Sequence, residues 1–141
     1  MPISESTAKV TELRTATLYL REDDIICIRL KDDVDVKIAD ARETFEEVKR
    51  LAGVGKKPVL VFTGSRGTIS DEVRQFSASL EAAEPTLAEA VIARSLAHKL
   101  MVNFLIGFIR LGRPMRLFVH ERHAVLWLEE ERVKYLNTIL K

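Results

Sequence analysis

At 141 residues the chain has the length of one ordinary domain, able to bury roughly two thirds of its unfolded surface without a disulfide or metal. Apolar residues make up 47% and charged residues 30%, with a net charge of +1. That balance excludes disordered, fibrous and membrane classes and argues against a nucleic-acid polyanion as the main partner.

Residues 1–14 are polar and aperiodic and predict a loose N-terminal arm. They lack the apolar core of a signal peptide, and the lone Cys27 cannot form an internal bridge, so a reducing, cytoplasmic setting is expected. Residues 16–20 and 25–30 alternate in character on either side of Arg21-Glu22-Asp23-Asp24, which predicts a β-hairpin. Ala16, Leu18 and Leu20 share one face, as do Ile26, Ile28 and Leu30. Ile38, Ala41, Phe45, Val48 and Ala52 recur at helical spacing ahead of Gly53 and predict an amphipathic helix. Residues 58–62 form a short apolar run, the mark of a strand covered on both faces at the centre of a sheet. Ser70 then caps a helix with Val73, Phe76 and Leu80 inward, ending before Pro85.

Residues 90–93 read as the next strand and residues 95–111 as a third helix, broken by Gly112-Arg113-Pro114. Residues 115–119 make another strand, and a last helix begins near Glu121. The expected fold is α/β: a mixed sheet with an N-terminal antiparallel hairpin followed by three strand-helix units, about five strands and four helices, with right-handed crossovers.

This order, with Asn103-Phe104-Leu105, the segment from Arg113 to Val119 and Ala124-Val125-Leu126-Trp127-Leu128, resembles the small bacterial stand-alone proteins of STAS-like fold. STAS is the sulfate-transporter and anti-sigma-factor-antagonist domain. The resemblance spans residues 15–131, leaving residues 132–141 as a C-terminal helical extension. Those proteins are of unknown function, and the resemblance implies a non-enzymatic fold. Signalling members carry a phosphorylatable Ser or Thr in an Asp-Ser-Ser/Thr-Gly pattern at the helix after the central strand. Here Ile69-Ser70-Asp71-Glu72-Val73 stands in that place, with acidic residues and no glycine, so the phosphorylation switch is not carried over.

No catalytic constellation emerges. Gly53-Val54-Gly55-Lys56-Lys57 has Arg50 where a phosphate-binding loop needs glycine and Lys57 where it needs Ser or Thr, and reads as a helix cap and turn. His120 and His123 are too few for a metal site, and no cofactor is expected. Asp23-Asp24 and Asp32, Asp33 and Asp35 read as solvated turn acids, Cys27 as a buried small hydrophobe and Trp127 as a packing anchor. Ser65, Arg66, Gly67 and Thr68, after the central strand, offer amides and a guanidinium to an anion.

The third helix carries surplus apolar surface. Leu100, Met101, Phe104, Leu105, Phe108 and Ile109 exceed what one sheet face needs, yet the run is far short of the roughly 20 residues that span a bilayer. Val133, Leu136 and Leu140 continue an apolar stripe along the last helix. Both surfaces need cover, so the sequence predicts a non-catalytic homo-oligomeric module with itself, or another protein, as partner. The alternative is an apolar-ligand or lipid carrier with Phe104, Leu105, Phe108, Ile109 and Met115 lining a pocket.

Overall fold

A computed structural model describes residues 9–93 and 112–140. Strand β2 (Ala16–Leu20) and strand β3 (Ile26–Leu30) pair antiparallel, with Ala16 opposite Leu30 and Leu20 opposite Ile26, as the alternation requires. Asp24, at φ 66°, makes the turn between them. Strand β1 (Thr11–Glu12) adds an edge to β2, so the polar arm is ordered from that point. The Thr11 hydroxyl donates to Glu47 at 2.5 Å, a long-range tie that local composition could not announce.

A two-residue strand β4 (Asp35–Val36) leads into helix α1 (Ile38–Ala52), whose buried residues are Phe45, Val48 and Ala52. Asp40 accepts from the Lys37 amide at 3.0 Å at its start, and Gly53, at φ 66°, closes its end. Strand β5 (Lys57–Phe62) runs parallel to β3 and is buried on both faces, its period of two sending Val59 and Val61 to one side and Leu60 to the other.

After the short strand β6 (Thr68–Ile69), the chain enters helix α2 (Asp71–Ser77), capped by Ser70 Oγ accepting from the Val73 amide at 3.2 Å. The single helix expected through Leu80 is instead two. Ser79 Oγ donates to the Phe76 carbonyl at 2.6 Å and accepts from the Ala82 amide at 3.2 Å, ending α2 and opening helix α3 (Leu80–Ala83). The break resets the helical phase, and Leu80 is exposed rather than inward.

Strand β7 (Thr86–Ile92) starts earlier than the apolar run suggests, because the charged Glu89 lies inside it. Strand β8 (Met115–Phe118) pairs parallel to β7, and helix α4 (Glu121–Ile139) ends the described chain. The expected third helix over 95–111 lies outside the described residues. The main sheet has the order β1-β2-β3-β5-β7-β8, with β4 and β6 forming a separate parallel pair.

Two cores result. Ala16, Leu18, Ile26, Ile28, Val59, Val61 and Val91 meet Val48 and Ala52 of α1 on one face of the sheet. Ile25, Leu60, Ala88, Ala90 and Ile92 meet Ala124 and Leu128 of α4 on the other. Among the described residues no helix is long and apolar enough to cross a membrane.

Candidate functional site

On the α1 side, the sheet and its helices leave a cavity of about 210 Å³. Its floor is Ile28, Val59, Val61 and Val91, and its helical walls are Phe45 and Val48 of α1 with Val73 and Phe76 of α2. Phe45 and Phe76 meet edge to face at 5.4 Å, fixing the two helices against each other. Met115, the one residue of the sequence-expected pocket within the described chain, also lines it.

Strand alternation turns Glu89 to the same face as Val91, into this apolar lining. Charge at such a place needs a partner. Arg113 supplies it: Nε and Nη2 approach Glu89 Oε1 at 3.0 and 2.9 Å, and Nη2 also donates to the Ser77 carbonyl at 3.1 Å. The Arg113 side chain is only 4% exposed. In the sequence Arg113 belongs only to a Gly-Arg-Pro break, and Glu89 has no role. The available signal was a lone acid within an apolar run.

The loop of Ser65, Arg66, Gly67 and Thr68 sits at the carboxyl ends of β3 and β5, where an anion site was expected, but its donors meet carboxylates. Ser65 N–H donates to Asp32 at 2.9 Å, Arg66 forks onto Asp33 at 2.7 and 2.9 Å, and the Thr68 hydroxyl donates to Asp35 at 2.6 Å. Backbone bonds from Asp33 to the Ser65 carbonyl and from Thr68 to the Val34 carbonyl zip the two loops together. A Cβ on Gly64 would stand 2.2 Å from the Lys31 carbonyl oxygen, so only glycine permits this approach. The hydrogen-bonded Arg66 guanidinium holds Asp33 below the usual carboxylate range. This is a latch between loops, closed by the acids that composition marked only as solvated turns.

Cys27 is fully buried, and burial pushes its thiol pKa up, away from thiolate chemistry. His120 and His123 stack edge to face at 5.6 Å on the exposed start of α4. Among the described residues no group of three or more metal-ligating side chains forms. Trp127 packs against Phe118 at 5.6 Å, beside the α4 core. Val133, Leu136 and Leu140 are exposed, whereas Leu100, Met101, Phe104, Leu105, Phe108 and Ile109 lie outside the described residues.

A family model described as "Domain of unknown function (DUF7793)" matches residues 18–132. The chain belongs to that family. No curated protein matches it. Among solved structures, an uncharacterized protein of the DUF3478 family from Shewanella loihica PV-4, with a SpoIIAA-like fold, is 12% identical. The alignment covers 86% of this chain and 91% of that one at a TM-score of 0.55. At that identity the likeness shows the fold alone, and the DUF7793 chain has the STAS-like architecture that its element order implied. A protein with unknown function from Arthrobacter sp. FB24 is 24% identical, with 79% and 90% of the two chains covered and a TM-score of 0.26.

Proposed function

We propose that this DUF7793 chain is a non-catalytic interaction module that works in the cytoplasm by associating with copies of itself. The observation that carries the reading is the outer face of α4. Leu126, Val133 and Leu140 recur every seven residues, which sets them within about 40° of one another around a helix, with Leu136 alongside. They are 59%, 57%, 80% and 44% exposed respectively. The side of α4 that packs on the sheet, with Ala124, Leu128 and Tyr135, lies about half a turn away.

A helix that covers one sheet face needs one apolar stripe, and α4 has two. A seven-residue apolar spacing is the seam along which helices pair, and a second copy brings an identical stripe. The absence of chemistry in this reading is supported by the buried Cys27 thiol and by Ser70, whose hydroxyl is engaged as a helix cap instead of standing in a phosphoacceptor pattern. Any regulatory output then runs through binding.

Deleting residues 132–141 would confuse the test, because Arg132 Nη2 donates to the Asp23 and Asp24 carbonyls at 2.9 and 3.1 Å and so anchors the hairpin turn. Val133→Lys leaves that anchor in place. Sedimentation velocity over a wide concentration range is expected to give an oligomer for the native chain and a monomer for Val133→Lys, with melting temperatures close together. A native chain that stays monomeric throughout would refute the reading.

A further inference from the structure

The cavity holds an observation that self-association does not use and that stands independently of it. Both Arg113 donors to Glu89 converge on Oε1. Among the described residues no hydrogen bond reaches Oε2. The pair therefore brings a carboxylate oxygen that no described residue engages to a space whose described lining is mostly apolar, with Phe45, Phe76, Val91 and Met115 among it and Thr44, Thr63 and Thr86 among its polar members. Burying an ion pair costs several kcal/mol of desolvation per charge that an apolar pair would avoid, so its retention at a cavity is not explained by stability.

We infer that this cavity binds a small, largely apolar molecule carrying one N–H or O–H donor, with the donor on Glu89 Oε2 and the body against Phe45 and Phe76. Size and charge both narrow the class. An apolar cavity of about 150 Å³ accepts benzene, so about 210 Å³ admits a body of about eight or nine non-hydrogen atoms. A long-chain lipid exceeds that volume. An anionic head is disfavoured because the Arg113 guanidinium is engaged by Glu89 and the Ser77 carbonyl, leaving the carboxylate to repel it. A neutral donor meets no such obstacle, and a hydrogen bond to a charged acceptor is among the stronger ones.

Indole is a fitting probe, with indene as a same-shaped control whose ring carries CH₂ in place of N–H. Calorimetric titration of the full chain is expected to give saturable indole binding and about tenfold weaker indene binding, the worth of one charge-assisted hydrogen bond. Amide and methyl NMR shifts on adding indole are expected at Phe45, Phe76, Val91 and Met115, and Val91→Phe, which fills the floor, is expected to remove them. If that variant does not fold, the shift map on the native chain decides alone. Absence of saturable indole binding at millimolar concentration, equal affinity for indene, or shifts confined to the outer face of α4 would each overturn the inference. The last would leave the self-association reading untouched, and a monomeric chain that binds indole in the cavity would separate the two in the other direction.

Discussion

Two arginine-carboxylate pairs stand toward opposite ends of the parallel strands. Arg66 forks onto Asp33 beyond the carboxyl ends of β3 and β5, where both side chains are more than half exposed. Arg113 grips Glu89 beside Val59 and Met115, almost out of contact with solvent. The chemistry is the same and the physics is not. Exposed ions keep most of their hydration whether paired or not, so the Arg66 pair works by orienting loops already joined by backbone bonds. The Arg113–Glu89 pair keeps little contact with water, at 4% and 17% side-chain exposure, and losing one member strands the other.

The largest effect is expected at the buried pair. Arg113→Leu leaves the Glu89 carboxylate uncompensated in an apolar lining and is expected to cost about 3–5 kcal/mol by chemical denaturation. Adding Glu89→Leu is expected to recover that loss in full, since two packed apolar groups replace two desolvated charges. A single variant as stable as the native chain would mean that the pair is solvated, and the contrast between the two sites would collapse.

Next in size is the backbone approach beneath the exposed pair. Gly64→Ala would drive a Cβ to 2.2 Å from the Lys31 carbonyl oxygen, and neither backbone has a flexible end to move aside. A cost of about 1–3 kcal/mol is expected, in the range of overpacking, with faster hydrogen exchange at Ser65 and Thr68. If Gly64→Ala were neutral, the latch would be held by its side chains rather than by the close backbone contact.

What the sequence could disclose follows the same division between local and distant causes. The hairpin, α1 and the doubly buried β5 were legible because period, caps and turn residues all act within a few positions, and Ser70 announced its helix by its own chemistry. The break at Ser79 was not legible, because a serine inside a helical pattern can either point outward or recap the chain. Glu89 concealed the first half of β7 for a related reason: its charge is tolerated only through Arg113, which lies 24 positions away. The latch was hidden similarly, since Arg66 and Asp33 are 33 positions apart and are brought together by the parallel register of β3 and β5. The outer stripe of α4 showed in the spacing of Val133, Leu136 and Leu140, but Leu126 extends it into a stretch whose pattern was already accounted for by packing.

The smallest effect is expected at the exposed pair itself, and pH reaches it without changing a residue. Hydrogen bonding to the Arg66 guanidinium holds the folded Asp33 carboxyl below its ordinary value of 3.8, while Arg66 stays charged throughout. A group whose folded pKa is depressed contributes stability above its unfolded pKa and loses it as pH falls through the folded one. The latch is therefore intact at neutral pH and starts to weaken only below about pH 4. Its exposure makes the contribution small and screened by salt. Carboxyl-carbon NMR is expected to show Asp33 titrating below an unpaired aspartate, and Arg66→Ala is expected to return it toward the ordinary value. The melting temperature should change little in that variant, because Asp33 N–H still donates to the Ser65 carbonyl and Thr68 N–H to the Val34 carbonyl. Normal titration of Asp33 in the native chain would show that the fork does not persist in solution. A large fall in melting temperature on Arg66→Ala would show that the exposed pair carries the fold as the Arg113–Glu89 pair does.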